Sequence, residues 1–153
     1  DFVGSVAPQD QVFVDNWLAS SPAAKQVSFH GRQTLTNSWQ VAKGAWVGLS
    51  LLEPTPAFQA AVPSKLYEYM AVGLASISTP LPRCVELLKI SGAGITADSV
   101  QAVASQLKAW ESNPLEVERI RNQARSWALT NFDGAGEYHT FASAVKELLH
   151  ESA

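Results

Sequence analysis

The chain has 153 residues, 46% of them hydrophobic and 16% charged, the proportions of a folded globular domain and not of a disordered segment. A net charge of -3 leaves no basic footprint for nucleic acid, and a single cysteine, Cys84, excludes an internal disulfide and fits a reducing, cytoplasmic setting. No apolar run approaches the roughly 18 residues needed to span a bilayer, and the first residues lack a signal-like pattern, so a soluble chain is expected.

In chain order, residues 1–6 (DFVGSV) read as a buried strand that delivers its carboxyl end to a loop. Between Gln11 and Ala19, Phe13 with Trp17 and Val14 with Leu18 fall at helical spacing, with Asp10 as the expected cap and Ser20-Ser21-Pro22 as the stop. Residues 26–29 (QVSF) predict a second strand, followed by His30-Gly31-Arg32, and residues 34–42 a short helix. A third strand is expected within residues 45–52 (AWVGLSLL), bounded by Gly44 and Pro54. The connection from Glu53 to Val62 is longer than most strand-end loops and is a functional candidate on that ground.

The organising stretch is residues 62–80 (VPSKLYEYMAVGLASISTP). Pro63-Ser64 leads into a helix of about two turns that stops at Gly73 and runs into a buried strand, residues 74–78. Ser64 is placed to accept from an unpaired first-turn amide, Leu66 and Met70 to face a core, and Lys65 and Glu68 to share another face. Further on, a helix at residues 82–90, a brief strand at 94–96, and a helix capped by Asp98 or Ser99 with a Val100, Val103, Leu107, Trp110 stripe are expected. Asn113-Pro114-x-Glu116 then opens a helix burying Val117, Ile120, Ala124 and Trp127, and a last helix spans residues 136–150. Alternating strands and helices predict an α/β fold, a Rossmann-like parallel sheet flanked by helices with a helical C-terminus, in one domain over residues 1–153.

Residues 65–78 (KLYEYMAVGLASIS) resemble the donor-binding signature of retaining GT-B glycosyltransferases of the family 4 type. The resemblance implies that Glu68 holds the ribose hydroxyls of a sugar nucleotide. It also implies that Lys65 and the amides of residues 61–64, with Val62 and Ser64 among them, face the diphosphate and the sugar. A carboxylate accepts two hydrogen bonds from a vicinal diol, and a helix start offers free amides to anionic oxygen, so the chemistry suits these positions. Gly31 and Arg32 border the base in this alignment; their plainer roles are a turn and a surface cation. The resemblance implies a nucleoside diphosphate sugar as donor, no requirement for a metal or other cofactor, and a hexosyltransferase as the intact protein.

The resemblance further implies the C-terminal half of a two-domain enzyme, with an N-terminal acceptor-binding domain and the strand preceding residue 1 lying outside this chain, and the isolated fragment inactive. Any membrane contact would belong to that intact parent, at the inner membrane face. The family carries a first glutamate at the position of Ala60, and the nearest upstream acid here is Glu53. That departure suits an alternative, a noncatalytic GT-B-like binding or scaffolding module. A second alternative, an epimerase-like sugar-nucleotide enzyme, calls for cleft histidines and acids that the sequence does not supply. His30 reads as structural, Cys84 as a buried inert thiol, and the five tryptophans as core residues before sugar platforms.

Overall fold

The computed structural model describes residues 1–61 and 63–131. They form two compact units that meet in sequence between Ala45 and Trp46. Val62 and the helix expected at residues 136–150 lie outside the described residues.

The first unit holds α1 (Pro8–Ser20), a 3-10 turn (Pro22–Gln26) and α2 (Leu35–Gly44). Asp10 does not cap α1: the cap position is Ala7, and Pro8 opens the first turn, where a missing amide costs nothing. Asp10 sits inside that turn, where its charge complements the helix dipole. The two strands expected here shrink to one parallel bridge between Phe2 and Phe29. It is held by Phe2 N donating to Ser28 O (2.8 Å) and His30 N donating to Phe2 O (2.9 Å), with the two rings stacked 4.8 Å apart. Helix-starting Pro8 and the 3-10 turn, whose first amides are capped by Ser21, take up the residues on either side and leave little chain extended. His30 Nε2 lies 2.7 Å from Asp1 Oδ1, so this imidazole has a local structural partner.

The second unit is the α/β fold that the alternation predicts. Strands β1 (Val47–Ser50), β2 (Ala75–Ser78) and β3 (Gly94–Thr96) form a parallel sheet in the order β1-β2-β3. The helices are α3 (Ser64–Val72), α4 (Pro82–Ser91), α5 (Val100–Ser112) and α6 (Pro114–Asn131). Strand side chains alternate between faces, which sorts the core into two clusters. Ala75 and Ile77 pack with Val103, Trp110, Val117 and Ile120 on the α5 side. On the other side Leu66 and Met70 of α3 join Leu81 just before α4, Cys84, Leu87 and Leu88 of α4, and Ala124 and Ala128 of α6. Long α6 thus serves both clusters, small residues in its second half letting α3 approach.

The ends of these helices follow their sequences. Gly73 ends α3 in the left-handed conformation (φ 73°), which costs glycine nothing, while Leu74 N returns to Tyr69 O at 2.9 Å. Ser99, of the two predicted caps, accepts from Ala102 N and starts α5. Glu116 turns outward to Arg119 instead of back to the helix start (2.8 Å), and that cation holds its carboxyl below the usual glutamate range. Of the tryptophans expected in the core, Trp110 is buried and Trp17 and Trp127 half-buried, whereas Trp39 and Trp46 are exposed, the latter on the open edge of the sheet beside β1. Val100, the first member of the α5 stripe, is exposed as well, because it lies in the first turn before the helix reaches the sheet. Among the described residues no helix is long and apolar enough to cross a membrane.

Candidate functional site

Three parallel strands joined by helices place all their following loops, residues 51–63, 79–81 and 97–99, at the carboxyl edge of the sheet. The starts of α3, α4 and α5 therefore gather there, the edge at which open parallel sheets bind ligands. The strand ends that reach it are hydroxylated: Ser50, Ser78 and Thr96 stand in register. Ser78 Oγ donates to Ser50 O at 3.2 Å, and among the described residues the buried Ser50 hydroxyl has no hydrogen-bond partner.

Helix α3 is built to show one stripe and bury another. Leu66 and Met70 are fully buried, while Ser64, Lys65 and Glu68 are exposed. Ser64 and Glu68 are four apart and Lys65 lies beside them, so the three predicted side chains share one surface. Lys65 and Glu68 form no ion pair, with each other or with another described residue.

One expectation for this helix is corrected. Ser64 is its first residue and not its cap; the cap position is Pro63, and no side chain caps α3. Proline has no polar side chain to offer, so the first turn keeps amides without a side-chain acceptor. The preceding loop is a chain of tight turns, with Phe58 N donating to Thr55 O (2.9 Å) and Ala61 N to Phe58 O (3.1 Å). Ala60 is exposed on it, and Glu53 is exposed at its start.

Gly31 and Arg32 belong to the first unit. Gly31 is left-handed (φ 62°) and its carbonyl accepts from Gly4 N at 2.8 Å, the turn that its residue type predicts; Arg32 is exposed.

Two contacts that sequence reasoning did not name hold α3 in place. The Tyr69 ring lies directly on Gly48 of β1, so close that a Cβ at position 48 would overlap Cδ2, and its hydroxyl donates to Leu49 O at 3.1 Å. Burial first, and the Glu68 carboxylate second, push the Tyr69 phenol above its ordinary range. At the other end, Arg121 Nε of α6 donates to Gly73 O at 2.9 Å, a cation on the carboxyl end of the helix. A glycine in the middle of AWVGLSLL is the signal that could have found the first contact, since a strand-interior glycine often marks a close approach.

An apolar cleft of about 540 Å³ lies elsewhere in this unit, lined by Trp46, Val47, Leu107 and Trp110 with Lys108 and Glu111 at its margin. None of the predicted site residues lines it. Among the described residues no three histidines, cysteines or acids come together as a metal site. No protein-family model matches the chain, and no curated protein matches it.

Proposed function

We propose that this chain is the donor-binding domain of a retaining GT-B hexosyltransferase of the family 4 type, moving a sugar from a nucleoside diphosphate sugar to a glycan or lipid-linked acceptor. The observation that carries the reading is the exposed Ser64, Lys65, Glu68 stripe, without an ion pair among the described residues, at the start of a helix that no side chain caps, on the carboxyl edge of a parallel sheet. The KLYEYMAVG run that builds it resembles the family's donor motif.

In this reading Glu68 accepts hydrogen bonds from the two ribose hydroxyls, while Lys65 and the amides at the helix start neutralise charge growing on the leaving diphosphate. No metal is needed for that role, because fixed amides and a cation supply the stabilisation. The acceptor is held by a separate N-terminal domain. A second reading, a noncatalytic module of the same fold, draws on Ala60, which offers no carboxylate to the donor sugar.

The test of the ribose contact is a comparison of UDP, GDP and ADP with their 2′-deoxy counterparts. Wild type prefers the ribonucleotide, and Glu68→Ala removes the preference, with a loss of about tenfold in affinity for a charged hydrogen bond of roughly 1.5 kcal/mol or more. Equal affinity of wild type for the ribose and deoxyribose forms would remove Glu68 from the ribose. For the intact protein, product analysis distinguishes a transferase, which forms a new glycosidic bond, from a binding module, which forms none.

A further inference from the structure

We propose that Gly48 and Tyr69 are positioning residues: the Tyr69 ring, seated on the bare backbone of Gly48, sets the rotation of α3 about its own axis and hence the direction in which Ser64, Lys65 and Glu68 face. The inference rests on the reading of that stripe as the donor-binding surface.

Successive helix residues point about 100° apart, so fixing Tyr69 against β1 fixes Glu68, its chain neighbour. The apolar burial of Leu66 and Met70 holds α3 to the core, but hydrophobic attraction is itself non-directional and specifies the helix rotation less sharply than a directional contact does. The flat ring on Gly48 is a shape contact with no slack, since even one Cβ at position 48 would overlap it. The phenol adds a directional anchor. Ala75 N and Thr79 N donate to Trp46 O and Ser50 O, so Leu49 O turns away from β2 and is free to accept from Tyr69. Because β1 is the sheet's edge, no described strand competes for that carbonyl. The Arg121 bond to Gly73 O anchors the far end of α3, which leaves rotation at the ligand end to Tyr69.

The experiment follows the backbone amide signals of Lys65 and Glu68 by NMR in the ligand-free full chain, and UDP affinity alongside, in Gly48→Ala, Tyr69→Phe and the double variant Gly48→Ala/Tyr69→Ala. Ile120→Val, a core truncation in the other cluster, controls for general destabilisation. Gly48→Ala is expected to displace both signals and weaken UDP roughly tenfold or more, the scale of effect of an ångström-level misplacement. Removing the ring in the double variant relieves the overlap but also removes the anchor, so the signals are expected to stay displaced from their wild-type positions. Tyr69→Phe, which deletes only the hydroxyl, moves them less and in the same direction, and decides the matter if Gly48→Ala does not fold. Signals that stay in place in Gly48→Ala or Tyr69→Phe, or that move as far in Ile120→Val, would overturn the assignment. A wild type that binds no UDP would instead remove the donor reading, and the ligand-free signals would still test the positioning.

Discussion

Tyr69 is the residue at which packing and charge meet. Its half-buried phenol lies against β1 in the field of the Glu68 carboxylate, and burial first and that charge second keep it protonated above its ordinary range. In the unfolded chain the same phenol ionises near pH 10, so between that value and the folded one the unfolded state binds fewer protons, and stability falls as pH rises. Phenolate absorbance should show Tyr69 titrating late. Glu68→Gln should bring its midpoint down part of the way, because the larger cause, burial, is untouched. Tyr69→Phe should remove the late phase and lessen the alkaline loss of stability. A second residue-scale prediction concerns Gly94, where a Cβ would collide with the carbonyl of Ser76 on the neighbouring strand. Backbone cannot yield there as a flexible side chain can, so Gly94→Ala should cost about 3 kcal/mol, read by urea unfolding.

At the scale of elements, helix α3 is fixed by contributions of different kinds: buried Leu66 and Met70, the Tyr69 anchor, and the Arg121 cation on its carboxyl end. Met70→Ala should lose about 2–5 kcal/mol as a core truncation. Arg121→Met keeps most of the stem packing and removes one charged hydrogen bond, so it should lose about 1.5–3 kcal/mol, and the two losses can be compared by chemical denaturation. Much of this element was legible beforehand. The spacing of Leu66 and Met70, the exposed Lys65 and Glu68, and the Gly73 stop all follow from local rules. The β1, β2 and β3 strands were legible too, as short apolar runs bounded by glycine and proline. What local pattern did not carry was how far a strand extends when its neighbours in sequence prefer helix, as Pro8 and the 3-10 turn at Pro22 show beside Phe2 and Phe29. It also missed contacts between residues distant in sequence, Tyr69 with Gly48 and Arg121 with Gly73, because neither partner's type announces the other. Capping propensity favours serine and points to Ser64 as the cap, whereas the helix starts one residue earlier, after Pro63.

For the molecule as a whole, the parallel sheet and its flanking helices supply a carboxyl edge, and the proposed donor function depends on that edge being a ligand surface. Binding to the folded state alone raises stability by mass action, so UDP at a hundred times its Kd should add about 2.7 kcal/mol and raise the melting temperature, an increase that Glu68→Ala reduces. The most direct measurement is an amide-resolved NMR titration of the full chain with UDP, GDP and ADP, in wild type and in Glu68→Ala. The donor-binding account predicts that one of the three shifts the amides of Ser64, Lys65 and Glu68, and that the variant loses these shifts. No shift with any of them at millimolar concentration, or shifts confined to the Trp46 and Trp110 cleft, would contradict it.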